Sequence, residues 1–535
     1  MSDYRTNIIT GKGLAAFYSD AMKYDRRDCF PQLKQYIEGE KADRVCLIYG
    51  LRRTGKTTMI KQIISELPER ETAYMKLRTK DTMADVNADL KLLLENGIKY
   101  LFVDEVTLAK DFIDSASLFS DVFAAQGMKI ILSGTDSLGF WLALDQELYD
   151  RADTIHTTYI PFAEHSRLLK INDIDEYIRY GGTLRAGEIN FDDNELNTDE
   201  ASFRDDESTR RYIDTAICRN IQNSLVFADG GGQFRHLREL YNKGELTSAI
   251  NRIIENEHHY FLRDVLTDAF ISHDLGRSAK NLRKDRDPET RTDILDRIDI
   301  EAVTARLMEI LDIRNREQQT IGITDVHVSE IKEYLYALDL IEDFDEETTV
   351  PSPPSGKHTL FIQPGMRYCM AQALVHSLMK DPLFSGASEA EKKNVTERIL
   401  QEVKGRMTEE IVQLETLRNA SANEKVFKLK FANAEFDMVI YDSDENTCRI
   451  FEIKHSDKVV PEQARHLLDE QKCELTRRRF GEITERVVLY RGSDLTDESG
   501  VEYRNVEEYL RQLHYPAMAE DQQLSDGSSW DIKLG

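Results

Sequence analysis

The sequence predicts a multidomain α/β protein, and three observations carry that expectation. A βαβα alternation from Arg44 to Ile160 implies a mostly parallel sheet covered by helices. Between Asn394 and Tyr490 an αβββαβ order implies a second, separate sheet. The length of 535 residues exceeds one hydrophobic core and fits about three or four domains at roughly 150 residues each. A hydrophobic share of 41% and a charged share of 31% are those of a globular chain. No apolar run approaches the roughly 18 residues that span a bilayer, so no membrane partner is expected. The first residues lack an apolar signal core, and the six cysteines show no CxxC spacing. Both features point away from secretion, zinc and disulfides and towards the cytoplasm. The formal charge of −27 excludes a general nucleic-acid coat but leaves room for a local site.

Taken in order, the first strand is Arg44–Tyr49, followed by a glycine-rich loop and apolar residues at helical spacing (Met59, Ile60, Ile63, Ile64, Leu67). Short apolar runs at 72–77, 99–103, 129–132 and 155–160 supply further strands. Residues 162–180 read as helix, closed by Gly181-Gly182. The stretch Asp192–Glu207 holds eight carboxylates and one arginine and reads as a solvated linker. Helical patterns run from about 209 to 313, with 277–286 as a mixed-charge surface helix or loop. Val328, Ile331, Leu335 and Leu338 form one helical stripe before two short strands (340–344, 359–362) across the turn at 351–356. That is the outline of a winged helix, although its outer face would show Glu330 and Glu333 beside Lys332, which suits packing between domains better than a DNA groove. In the last block, a long helix 394–417 precedes strands 425–431, 435–441 and 448–453, a helix 461–473 and a strand 486–490. The tail from Ala519 has the composition of a mobile segment.

Gly50-x-x-x-x-Gly55-Lys56-Thr57 is a P-loop in its required setting, strand before and helix after. The glycines let backbone N–H groups turn towards phosphate oxygens, and the helix adds the positive end of its dipole. Arg53, Thr54 and Thr58 complete the candidate nucleotide contacts. Lys56 neutralises β- and γ-phosphate charge and Thr57 offers a hydroxyl to Mg²⁺. Asp104, at the end of the apolar strand 100–103, can hold Mg²⁺, and Glu105 after it can orient and deprotonate water. Ser133, at the next strand end, can sense the γ-phosphate. ATP is expected over GTP because no guanine-reading NKxD segment is present.

The P-loop, Phe-Val-Asp104-Glu105, Leu-Ser133-Gly-Thr, Arg151 before Ile-Pro-Phe-Ala-Glu164, and Tyr180-Gly181-Gly182 follow one another in order. In this the chain resembles the large prokaryotic group of AAA-type ATPases fused to a C-terminal nuclease-like domain. The resemblance places Arg151 near the end of the ATPase module, either as an arginine finger in trans or in a structural ion pair. Arg52 and Arg53 could serve an oligomer or domain contact.

Asp437 and Glu452 stand on consecutive strands, with Lys454 on the same face as Glu452. Two carboxylates can hold Mg²⁺ or Mn²⁺ while a lysine positions water and stabilises a pentavalent phosphate. This D-x14-E-x-K run resembles the PD-(D/E)xK nuclease motif, although alternating charged and apolar residues are also what any half-exposed strand shows. The resemblance makes Glu409 a helix-borne metal ligand. Gln463 and His466 are candidate substrate contacts, and Arg477–Arg479 either guides a phosphate backbone or forms a solvated helix face.

The expected layout is a P-loop ATPase domain with an N-terminal extension (1–170), a helical region with an acidic linker (171–300), a winged-helix-like domain (301–365), a restriction-endonuclease-like domain (366–515) and a mobile tail (516–535). The expected function is that of a Mg²⁺-dependent ATP-binding protein and ATPase whose nucleotide state controls a nuclease-like domain that acts on or binds DNA or RNA, as in defence or repair. The alternative is a signalling or scaffold NTPase that assembles on ATP binding, as a homo-oligomer, and uses the nuclease fold for partner binding.

Overall fold

In the computed structural model, the described residues are 4–184, 203, 206–218, 235–254, 261, 323–349 and 355–514, less 41, 42, 110, 137, 138, 141, 142, 145, 146, 247, 248, 251, 381, 387 and 433. Most of the acidic linker, the mixed-charge segment 277–286, most of the helical stretch up to 313, the turn residues 351–354 and the tail lie outside them.

The first sheet has six strands: β1 Asn7–Thr10, β2 Val45–Tyr49, β3 Thr72–Lys76, β4 Tyr100–Asp104, β5 Lys129–Gly134 and β6 Ala152–His156. Their order is β1-β3-β4-β5-β2-β6. Every pairing is parallel except β1 with β3. The period-2 alternation of side chains feeds two cores. Val45, Leu47 and Tyr49 join Val103 and Leu132 on one face, and Cys46 and Ile48 join Phe102 and Ile131 on the other. Helices therefore cover both faces, as the near-continuous apolar strands require.

Two elements differ from the sequence reading. The strand expected at 155–160 ends at His156, because Thr157 and Thr158 turn their hydroxyls onto the P-loop instead: Thr157 Oγ1 meets Thr54 Oγ1 at 2.7 Å and Thr158 Oγ1 accepts from Leu51 N at 3.1 Å. The helix expected at 162–180 is two helices, Phe162–Leu169 and Ile174–Tyr180, broken at Lys170 with φ 56° and restarted by the Asp173 cap.

The second sheet has eight strands: β7 Ile341–Thr348, β8 Gly356–Phe361, β9 Glu424–Lys430, β10 Glu435–Asp442, β11 Thr447–Ile453, β12 Glu482–Tyr490, β13 Leu495–Thr496 and β14 Glu502–Asn505. Their order is β13-β14-β12-β11-β10-β9-β7-β8. The hairpin β7–β8 follows the helix Asp325–Ala337, as the winged outline anticipates, but it is not a free wing, since β7 also pairs in parallel with β9. The boundary read at 365 thus falls inside one sheet. The helix Asp325–Ala337 is buried through Ile331, Tyr334 and Leu335. Glu330 is not exposed; it accepts from His236 N (3.0 Å) and Leu237 N (2.9 Å), at the start of the helix Arg235–Asn242.

The helix read at 461–473 is displaced. Residues Pro461–Ala464 make a single 3-10 turn, and the helix is Glu470–Phe480, started by Asp469 accepting from Gln471 N and Lys472 N. Asp469 is the stronger cap, and it wins over Pro461. The long helix before β9 spans Glu389–Asn419.

Candidate functional site

The P-loop turns where only glycine fits. Gly50 has φ 146°, and a Cβ there would lie 2.6 Å from Thr157 Oγ1 and 2.8 Å from Thr158 N; Gly55 has φ 89°. Thr54 is fully buried and its hydroxyl donates to Leu51 O at 2.9 Å, so that side chain shapes the loop rather than facing phosphate. Thr57 is exposed and Thr58 half-buried on the first turn of the helix Lys56–Ile64.

Lys56 Nζ is buried, and its hydrogen bonds go to the carbonyl oxygens of Gly50 and Leu51, each at 2.7 Å. Burial depresses its pKa to about 8, against the opposing pull of Glu105 and Asp104. A buried ammonium inside a loop of turned amides is a donor set that fits a polyphosphate.

Asp104 is the hub of the strand ends. It accepts from Ser133 Oγ at 2.5 Å and Tyr74 OH at 2.8 Å, and Thr57 Oγ1 lies 3.5 Å away. Glu105 sits in left-handed backbone at φ 57°, uncommon for a non-glycine residue. Burial, and then the Asp104 charge, raise its carboxyl pKa. Thr135 Oγ1 lies 3.5 Å from Glu105 Oε2.

A buried ion pair braces this site. Arg27 Nε meets Glu164 Oε1 at 2.6 Å and Nη2 meets Oε2 at 3.1 Å. The same guanidinium donates to the carbonyls of Thr54, Thr157 and Tyr159. Arg151 pairs with Asp121 at 2.6 Å on the surface.

At the second constellation the structure brings Asp437, Glu452 and Lys454 together: Lys454 Nζ lies 3.0 Å from Asp437 Oδ2 and 2.6 Å from Glu452 Oε2. Antiparallel pairing of β10 with β11 sets this geometry. Ile453 N also donates to Asp437 Oδ2 at 2.8 Å. Burial, and then Asp437, raise the Glu452 pKa to about 8. Glu409 reaches in from the long helix. Burial opposes its charge, but Arg406 and Lys428 outweigh that and hold it well below the usual carboxylate range.

Sequence reasoning missed Glu435 and Lys428. Lys428 Nζ, buried, bridges Glu409 Oε1 at 2.8 Å and Glu435 Oε1 at 2.7 Å. One oxygen each from Glu409, Glu435 and Asp437 lies within 4.8 Å of the others. The signal for Glu435 was present, since it stands two residues before Asp437 on one strand face. The donors of that set are all oxygens, which suits Mg²⁺ or Mn²⁺; Glu452, whose buried Oε1 has no hydrogen-bond partner among the described residues, stands beside it on Lys454. The remaining candidates are engaged with protein groups. Gln463 bonds Lys458 O and Val460 N, His466 meets Lys472 Nζ at 2.9 Å, and Arg477, Arg478 and Arg479 pair with Glu470, Glu474 and Glu347.

No described helix is long and apolar enough to cross a membrane. No curated protein matches the chain. Among solved structures it is similar to the Hsp104–ADP complex of S. cerevisiae, at 13% identity over 77% of this chain and 56% of that one, with a TM-score of 0.25. It is similar to C. elegans PCH-2 at 16% identity over 32% of this chain and 49% of that one, TM-score 0.18. A third is the Aeropyrum pernix ORC1 protein in complex with DNA, at 13% identity over 69% of this chain and 94% of that one, TM-score 0.22. The chain thus spans about half the length of the first two. The loop Gly50–Thr58, Asp104, Glu105 and Ser133 all lie within residues 42–166, the stretch that matches a family model described as an AAA domain.

Proposed function

We propose that the protein is a Mg²⁺-dependent ATPase whose nucleotide state controls a nuclease-like C-terminal domain that engages DNA or RNA. The observation that carries the nucleotide reading is the buried Lys56 ammonium, hydrogen-bonded to the loop carbonyls of Gly50 and Leu51 and within the electrostatic reach of Glu105 and Asp104. Thr57 and Asp104 would hold Mg²⁺, which supplies charge neutralisation at the β- and γ-phosphates. Lys56 binds the phosphates, Ser133 and Tyr74 hold the Asp104 carboxylate in place, and Glu105 takes the proton of the attacking water. At the second site, Asp437 and Glu452, joined by Glu409 and Glu435, would hold the divalent cation that activates water. Lys454 places its ammonium where the pentavalent phosphate gains charge.

Titration with a fluorescent ATP analogue tests the first half. Lys56→Met is expected to weaken binding about 10- to 150-fold, the worth of a charge-assisted hydrogen bond. Wild-type affinity falls as pH rises through about 8, where the ammonium of the free protein is lost. The sign for folding is opposite. Between that pH and the ordinary lysine value the unfolded chain binds more protons, so this group's contribution to stability rises with pH. Binding that ignores both the substitution and the pH sinks the reading.

A second reading, an ATP-driven scaffold whose C-terminal domain only binds a partner, is favoured by the pairing of Arg477–Arg479 with acids and by the charge of −27. Sedimentation with and without ATP separates them: assembly with no nucleic-acid cleavage supports the scaffold.

A further inference from the structure

The short helix Ile174–Tyr180 is linked near its start, through Asp175, to His455 beside Lys454, and after its end, through the segment Gly181–Leu184, to the P-loop. Its seven residues span roughly 10 Å at a helical rise of about 1.5 Å each. Near its start, the Asp175 carboxylate is held by groups from three elements of the C-terminal sheet domain. Lys404 Nζ of the long helix lies at 3.0 Å, His455 Nε2 donates at 3.0 Å and Arg491 Nη1, just beyond β12, donates at 2.8 Å. His455 is buried and directly follows Lys454; its Nδ1 accepts from Gln401 Nε2 at 2.8 Å, so the ring is gripped from both sides. The backbone that carries the Lys454 ammonium is thereby tied to Asp175.

After its last turn, the helix runs into Gly181-Gly182-Thr183-Leu184. Gly181 O accepts from Gly365 N at 3.1 Å and Gly182 O accepts from Gln363 Nε2 at 2.9 Å. Gly182 has φ 103°, and a Cβ there would lie 2.7 Å from Gln363 Cβ, so the packing leaves no slack. Leu184 N then donates to Arg53 O of the P-loop at 2.5 Å, and Tyr212 OH donates to Arg52 O at 3.3 Å.

These last contacts decide the matter. The carbonyl of Arg53 and the N–H of Thr54 belong to one rigid peptide plane, as do the carbonyl of Arg52 and the N–H of Arg53. Phosphate drawing those N–H groups towards itself rotates the same planes that Leu184 and Tyr212 hold by their oxygens. A ligand can shift only what it contacts differently in two states, and the Leu184 and Tyr212 hydrogen bonds are where these loop planes meet the rest of the molecule.

We propose that the helix Ile174–Tyr180 carries the nucleotide state of the P-loop to the carboxylate–lysine site, with Asp175 as the positioning residue that acts through His455 on Lys454. This rests on the nucleotide reading above but not on cleavage by the second site. The test is hydrogen–deuterium exchange on the full chain, read at residues 454–460, with and without a non-hydrolysable ATP analogue and Mg²⁺; ATP binding is titrated separately. Wild type should show an ATP-dependent change there. Asp175→Asn should still bind ATP, which shows that the ATPase unit is folded, and lose that change by about fivefold or more, the scale of a real coupling. Asp175→Glu, which keeps the charge, should restore most of it. An Asp175→Asn response equal to wild type, or wild type that binds ATP with no change at 454–460, overturns the inference. Absence of ATP binding overturns the nucleotide reading and this inference with it, and the titration identifies that case.

Discussion

Replacing Glu105 by Gln is expected to lower ATP turnover by about 10²- to 10⁴-fold while leaving ATP binding intact, the usual contribution of a positioned general base. The amide keeps the size and the left-handed backbone of the original residue but cannot accept a proton. Glu105 is suited to that role because burial and the neighbouring Asp104 charge raise its proton affinity, while Lys56 limits the rise. Asp104, by contrast, accepts from Ser133 and Tyr74, which hold its carboxylate in place. The check is steady-state phosphate release beside an ATP titration. Turnover unchanged in the variant would show that the attacking water is activated elsewhere.

Glu164→Ala is expected to destabilise the ATPase unit by about 3–5 kcal/mol, because it leaves the Arg27 guanidinium buried without its counter-charge. Arg27 is 6% exposed and Glu164 is 2% exposed, so water cannot take over. The loss spreads further than one pair. The guanidinium also holds the Thr54, Thr157 and Tyr159 carbonyls, and Glu164 Oε1 accepts from Asp28 N at 2.7 Å. Because a multidomain chain need not unfold in one step, the measurement is exchange of the β2 amides against denaturant. β2 amides as protected as in wild type would mean that the pair is dispensable.

What was legible in the sequence was what local backbone rules decide. The loop Gly50–Thr58 needs positive φ at its glycines, and Asp104 with Glu105 ends an apolar strand; both are one-dimensional patterns. Glu452 and Lys454 were legible because strand alternation puts them on one face, and Asp437 because two consecutive strands pair by default, although a bulge between Phe436 and Val439 interrupts the alternation around it. What stayed hidden depends on contacts between distant segments. Glu164 and Gly182 were visible as parts of signatures, but their reasons, Arg27 and Gln363, lie far away along the chain. Lys428 sits on β9 as one more charge in an alternating strand, and only the fold shows that it is buried between Glu409 and Glu435. The parallel pairing of β7 with β9 joins a hairpin to a strand beyond two intervening helices, which no local propensity announces. Asp175 reads as an ordinary first-turn acid until Lys404, His455 and Arg491 are seen around it.

The most direct test of the central claim is cleavage of labelled single- and double-stranded DNA and RNA with Mg²⁺ or Mn²⁺, with and without ATP, by wild type and by Asp437→Ala. The account predicts metal-dependent cleavage that changes with ATP and disappears in the variant, since Asp437 holds Lys454 and would supply one side of the proposed cation site. Cleavage by wild type and Asp437→Ala alike, or none by wild type under any condition, would contradict it.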